Sequence, residues 1–404
     1  MSKSSIINSV PVNAGDELLL LSALKVLENS GFEVNSVHSN QRELAKKVLP
    51  SKVHEWDLEQ ANSSYLSDYV PRPVTRKAKH LGLMDAGAHW RFWRTPRYQK
   101  SFAALDSASW VFSSAGGYLN SRYGYTGRLA TFEKLLEKGK SLVFLPQSIG
   151  PFDPKQDHSR LKSALSGAKA VLVRDNVSLE YLARIGFDGP NLHRWPDFGL
   201  VSDVLEEGGS PQRPPDSKRR IMVCVRSWGH GVQKDSIEAK FIRLVENMLA
   251  LDDVEIVFAS TCQGVGNYVD DGKIMSHIRA GIAEHLHSRT TVAPGHLNAQ
   301  AFHDLASTCD CYVGMRLHGA IMAMHAGIPA LAVGYEEKSA EIFRELGLED
   351  CCVDVRDPLE VMLEKCRWFL ANTSALKVRS RAALAREEYS LSHVSARLKT
   401  LTAG

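Results

Sequence analysis

In the second half of the chain, short apolar runs alternate with stretches whose apolar positions recur every three to four residues. "RIMVCVRS" (220–227), "VEIVFAST" (254–261), "TTVAP" (290–294), "CDCYVGM" (309–315), "IPALAVGY" (328–335) and "CCVDV" (351–355) read as strands buried on both faces. Helical patterns at 236–250, 298–307, 317–327 and 337–346 lie between them. Strands alternating with helices imply a parallel sheet with right-handed crossovers, a doubly wound α/β domain. The first half repeats this logic less cleanly, with strands at "SSIINSV", "FEVNSVHS", "ASWVFSSAGG", "SLVFLPQS" and "AVLVRD" and helices near 16–30, 128–139, 158–168 and 176–185. Between the halves, "EEGGSPQRPPDSKRR" (206–220) is dense in Pro, Gly and charge, as an exposed linker is. The expected architecture is two Rossmann-like doubly wound domains, 1–205 and 220–373, facing across a cleft and joined by a linker at 206–219. A helical pattern from 374 onward, with no strand after it, is expected to pack back across the domains.

Length and composition agree with this picture. A chain of 404 residues exceeds one typical core and fits two domains. With 44% hydrophobic and 24% charged residues it is ordinary for a soluble protein, and a net charge of +3 does not by itself point to nucleic acid. No run of about 18 apolar residues exists, and the N-terminus lacks the pattern of a secretory signal, so a cytoplasmic protein is expected. Seven cysteines without a Cys-x-x-Cys pair read as buried reduced thiols, and the missing paired spacing argues against zinc.

The candidate chemistry sits at the strand ends. In an open parallel sheet, ligands bind beyond the carboxyl ends of the strands, where the strand order reverses. In the common order 3-2-1-4-5 the first and fourth strands are neighbours at that point, which brings Arg226 and Arg316 to one crevice. His318 and Gly319 begin the next helix, whose unpaired N–H groups and dipole attract an anion, and Gly319 has no bulk to block the approach. Lys338 follows the fifth strand. Two guanidinium forks and one compact ammonium suit a small dianion carrying phosphate and carboxylate. Each residue also has a plainer explanation: a helix cap for Arg316, a solvated face for Lys338 beside Glu336 and Glu337, a structural role for His318.

At the level of motifs the sequence resembles the polysaccharide pyruvyl transferase family. "NAGDELLLLSAL" (13–24), "SAGGYL" (114–119), "LPQSIGPF" (145–152), "VLVRDNVSLEYLARIGF" (171–187) and "WPDFGL" (195–200) follow in the family's order. "GMRLHGAIMAMHAGIPALAVGYEEKS" (314–339) resembles its most diagnostic element, an Arg-x-His segment followed by a Tyr-x-x-Lys-like one. The resemblance implies a GT-B-like pair of domains and transfer of a pyruvyl unit from phosphoenolpyruvate to a sugar, leaving a pyruvate ketal. It implies His318 as the acid/base and Arg316, Lys338 and Arg174 as donor ligands, with no cofactor beyond the donor substrate and no metal; Arg226 joins them from topology.

Protonation of the enol carbon suits a histidine, whose unperturbed pKa is about 6.5. Asp16 is a candidate for orienting or deprotonating an acceptor hydroxyl from the N-terminal domain, and a first-turn carboxylate is its plainer role. For the acceptor, "PRPVTRKAKHLGLMDAGAHWRFWRTPRYQK" (71–100) carries eight Lys or Arg against Asp85 alone. Trp90, Trp93 and Arg94 within it are candidates for stacking on a sugar and meeting a lipid diphosphate at the inner membrane face. No nucleic-acid module surrounds this stretch. The rival readings are a nucleotide-sugar glycosyltransferase or epimerase of the same fold, and a noncatalytic sugar-binding assembly protein.

Overall fold

A computed structural model describes residues 1–39, 48, 103–121, 124–206, 217–227, 234–264 and 269–403. The candidate acceptor residues Trp90, Trp93 and Arg94, and most of the 206–219 linker, lie outside the described residues.

The first sheet contains β1 (Ser2–Ser9), β2 (Phe32–Ser39), β3 (Trp110–Ser113), β4 (Gly116–Leu119), β5 (Ser141–Ile149), β6 (Ala170–Val173) and β7 (Leu192–Arg194). Their order is β2-β1-β3-β5-β6-β7, with β4 also beside β5. The helices around them are α1 (Ala14–Asn29), α2 (Thr126–Glu137), α3 (Ser159–Gly167) and α4 (Asn176–Arg184). "ASWVFSSAGG" holds two strands, because the nine-residue β5 pairs with β3 along its first half and with β4 at Gln147 and Ile149. The turn between them uses Gly116 at φ +141°, where a side chain would be strained.

The second sheet contains β8 (Arg219–Cys224), β9 (Val254–Phe258), β10 (Thr290–Val292), β11 (Cys311–Gly314), β12 (Ala330–Gly334) and β13 (Cys352–Asp354). Their order is β10-β9-β8-β11-β12-β13, so the first and fourth strands of this sheet are neighbours and the order reverses between them. Strand interiors such as Ile221, Met222, Val223 and Cys224 are completely buried, as a parallel sheet covered by helices requires. Around it lie α5 (Lys234–Leu249), α6 (Asp271–Gly281), α7 (Ala299–Ser307), α8 (Leu317–His325), α9 (Glu337–Glu345), α10 (Leu359–Ala371) and α11 (Thr373–Leu384), and α12 (Leu391–Thr402) ends the chain. Helix α6 and strand β7 had no counterpart in the hydrophobic pattern.

The chain forms two compact units. One comprises Met1–Pro11, Leu19–Phe198 and Val394–Gly404, the other Val12–Leu18 and Gly199–His393. The first turn of α1 therefore belongs with the second sheet. Ala14 N–H donates to the Thr261 carbonyl at 2.9 Å, and the Cys262 thiol lies 3.4 Å from the Val12 carbonyl it donates to.

The helical pattern expected from 374 onward is broken into α11 and α12. Arg386 and Ser390 are extended, with ψ of 138° and 139°, on either side of a short 3-10 turn. The fully buried Tyr389 anchors that break by donating to Glu345 at 3.1 Å, and the Ser390 hydroxyl accepts from His393 N–H at 3.2 Å to start α12. Among the described residues no helix is long and apolar enough to cross a membrane.

All seven cysteines are free, and only Cys352 is not fully buried. Burial pushes the thiols of Cys224, Cys262, Cys351 and Cys366 up to about 12, so little thiolate exists near neutral pH. Native protein is therefore expected to react with a thiol-specific chromophore at Cys352 at most, and at all seven thiols once unfolded; rapid labelling of several thiols in native protein would contradict the packing.

Candidate active site

The site grows from the link between β11 and α8, all within the second unit. Arg316 is the N-cap of α8, and its carbonyl accepts from the hydroxyl of the buried Tyr312 at 3.1 Å. Tyr312 lies beneath two glycines. A Cβ on Gly314 would stand 2.6 Å from its hydroxyl oxygen and one on Gly319 would stand 2.7 Å away. The absence of a side chain at Gly319 thus has a packing cause: it makes room for the tyrosine that holds the N-cap.

Arg316 does not point its fork at open solvent. Its Nε donates to one oxygen of Asp271 at 2.9 Å and its Nη2 to the other at 2.6 Å, and the two side chains are 9% and 0% exposed. Asp271 is the first residue of α6, and its carboxylate also accepts from Thr261 Oγ1 at 3.3 Å. Burial works against the charge on Arg316, but the carboxylate opposite overrides it and holds the guanidinium protonated above the ordinary arginine range.

Arg226, two residues beyond β8, donates from Nη1 to the Tyr335 hydroxyl at 2.7 Å and lies 5.2 Å from the centre of that ring. Lys338 Nζ, in the first turn of α9, lies 6.0 Å from the same ring centre and 2.6 Å from a Glu336 carboxylate oxygen. Tyr335 therefore gathers a cation from the first strand end and a cation from the fifth. Arg226 also lies close enough to Asp271 to favour its ionised form, which ties it to the Arg316 pair. Unlike Arg316, Arg226 and Lys338 are partly exposed.

His318, partly exposed in the first turn of α8, meets the first turn of α1. A Cβ on Gly15 would stand 2.7 Å from the His318 Cβ and 2.9 Å from its Nδ1, so only glycine permits the approach. Asp16 sits beside this contact, in the unit of the second sheet, and not opposite it as expected from its N-terminal position. It completes a helix cap: Asn13 Oδ1 accepts from Asp16 N–H at 3.0 Å, and Asn13 Nδ2 donates back to the Asp16 carboxylate at 2.5 Å. Next to it Glu17, 6% exposed, is pushed up to about 7 by burial, only partly countered by the Ala299 backbone N–H.

Arg174 belongs to the other unit. It follows β6, forms a 2.8 Å ion pair with Asp197 at 4% and 0% exposure, and donates from Nε to Ser148 Oγ at 3.0 Å. Its guanidinium is bound into that unit's own polar network.

Arg226, Arg316, Gly319, His318 and Lys338 thus come together at the strand ends of one sheet, with Asp16 adjoining. Hydrophobic patterning missed Asp271, Tyr312, Gly15 and Glu17. The "DDG" at 270–272 carried a usable signal, an Asp helix cap: Asp270 accepts from Gly272 N–H at 2.9 Å. The family model for polysaccharide pyruvyl transferases matches residues 13–337, which include all of these positions except Lys338, one residue past its end.

The chain belongs to the polysaccharide pyruvyl transferase family.

The chain is similar to the amylovoran biosynthesis protein AmsJ of Erwinia amylovora, 24% identical over 366 residues that cover 86% of each chain. Solved structures share the fold at low identity. HepE of Anabaena, in complex with UDP and glucose, superposes with a TM-score of 0.61 at 10% identity over the whole of both chains. Staphylococcus aureus MnaA with UDP gives 0.61 at 12% identity, covering 98% of this chain and 95% of that one. Sucrose-phosphate synthase of Thermosynechococcus elongatus gives 0.59 at 13% identity, covering 100% and 98%. The transferase fold is therefore GT-B-like, two Rossmann-like parallel sheets covered by helices.

Two buried ionisable groups, the Arg316–Asp271 pair and Glu17, each predict a stability effect. Asp271→Ala leaves Arg316 buried without a partner and should cost roughly 3–5 kcal/mol, read as a lowered denaturant midpoint. Adding Arg316→Met to that variant should restore much of the loss; an unshifted midpoint in the single variant would show that the pair is not structural. Glu17, whose folded value of about 7 lies above the unfolded 4.5, holds its proton longer in the folded state. Stability from this group is complete below pH 4.5 and is lost as pH rises to about 7, roughly 3 kcal/mol in all. Glu17→Gln should flatten that part of the stability–pH curve.

Proposed function

We propose that this transferase moves a pyruvyl unit from phosphoenolpyruvate to a sugar of a polysaccharide or its lipid-linked precursor, leaving a pyruvate ketal. The observation that carries the reading is the gathering of Arg226 and Lys338 around Tyr335, next to the Arg316–Asp271 fork and the N-terminus of α8. Phosphoenolpyruvate is compact and carries phosphate and carboxylate together, so it matches closely spaced cations better than an extended nucleotide does. The kinship with an amylovoran biosynthesis protein supports an exopolysaccharide as the product.

In this scheme the partly exposed Arg226 and Lys338 grip the donor, and Arg316, oriented by Asp271, adds its field and its remaining Nη1. His318 gives a proton to C3 of the enol, which leaves C2 electron-poor. A sugar hydroxyl adds to C2 and its proton returns to the imidazole. The bond from C2 to the phosphate oxygen then breaks, a second hydroxyl closes the ketal, and its proton leaves with phosphate. The cations stabilise the charge on the departing phosphate, an effect that can exceed the acid/base one. The acceptor assignment, and with it a cytoplasmic site at the inner membrane face, rests on the basic and aromatic stretch 71–100 with Trp90, Trp93 and Arg94.

Calorimetric titration separates this reading from a nucleotide-sugar enzyme. Native protein should bind phosphoenolpyruvate and not a uridine diphosphate sugar. Arg226→Ala should weaken donor binding roughly 10- to 150-fold, the loss of one charged hydrogen bond. His318→Gln should leave donor affinity within a few-fold and lower kcat for phosphate release by roughly 10²–10⁴. Binding of the nucleotide sugar alone would sink the proposal.

A further inference from the structure

The second unit also contains a cavity of about 580 Å³ that none of the candidate active-site residues lines. Its volume falls within the range of about 300–1,000 Å³ usual for small-molecule sites. The wall runs from residues 201–205 across α7 and the C-terminal end of α8 to α11.

Two charged side chains line it, Arg381 and Asp203. Arg381 is exposed, and its guanidinium makes no hydrogen bond or ion pair among the described residues. It lies against Gly327, where an added Cβ would stand 3.0 Å from Nη2. Asp203 accepts from the Ser202 hydroxyl at 3.1 Å. The two histidines in the wall differ. His325 donates to or accepts from nothing charged; its Nε2 is 2.9 Å from the Gly199 carbonyl, and burial holds its imidazole below the usual range, hence neutral. His303 is 5% exposed, and its Nδ1 is enclosed with no hydrogen-bond partner, 3.5 Å from an Asp304 carboxylate oxygen. Leu18, Met324 and Leu384 supply an apolar floor.

One uncommitted guanidinium, a carboxylate with serine hydroxyls, an unsatisfied imidazole and an apolar floor form a particular combination. A pyranose offers an apolar C–H face to the floor and hydroxyls to Asp203 and Ser307, and an acidic substituent would take the guanidinium. We propose that this cavity is a second ligand site, for a pyranose bearing one acidic group, a hexose phosphate or a hexuronate. The site stands independently of the donor chemistry proposed above.

The test is calorimetric titration of glucose 1-phosphate, glucuronate and glucose into the full chain, into Arg381→Gln and into Arg226→Ala. Because Arg381 is exposed and unpaired, its substitution is not expected to disturb folding. At least one acid should bind native protein, with glucose at least tenfold weaker. That acid should bind Arg381→Gln at least tenfold more weakly and Arg226→Ala within about threefold, and the better of the two names the acidic group. Binding unchanged in Arg381→Gln, binding lost in Arg226→Ala instead, or no binding of either acid to native protein would each overturn the proposal.

Discussion

The buried fork between Arg316 and Asp271 is the constraint on which the site depends. Two charges removed from water are tolerated only when geometry offsets the desolvation, and here both carboxylate oxygens meet guanidinium nitrogens within 2.9 Å. That requirement locks the first turn of α6 to the cap of α8. Tyr312 closes the same corner from below, and the glycines above it are the condition for its ring to fit. With this corner rigid, His318 has a defined place against Gly15, where the start of α1 joins the second sheet's unit.

The basic residues at the strand ends therefore have unlike roles. Arg316 is turned inward and held by a carboxylate, a buried member of the corner. Arg226 and Lys338 are partly exposed and both lie by the ring of Tyr335. Arg174 answers a third demand, neutralising Asp197 inside the other unit. A basic residue after a parallel strand is thus a weak sign of ligand binding on its own. The sign becomes informative when several such residues are drawn to one aromatic ring at a reversal of strand order.

Much of this was legible beforehand. The six apolar runs of the second half are the six strands of its sheet, because strands buried on both faces have no polar alternation to hide them. The order reversal between β8 and β11 is the one assumed from the common doubly wound order, and it placed Arg226 and Arg316 together without any contact information. Less legible were short or interrupted elements. β7 is three residues long, and the break between α11 and α12 depends on Tyr389 reaching Glu345, 44 residues away. Asp16 was expected with the first sheet and belongs with the second, since the hydrogen bond from Ala14 to Thr261 is invisible to periodicity.

By itself, then, the sequence determined the alternating α/β pattern, the parallel sheets, the family and the set of chemical groups at the strand ends, because each is written in local spacing. Only the tertiary structure decided which of those groups are spent on the protein itself. That Arg316 is paired with Asp271 and that Gly15 admits His318 are matters of long-range packing between residues tens to hundreds of positions apart, and even the way Gly319 makes room for Tyr312, seven positions away, depends on how the strand and helix turn onto each other.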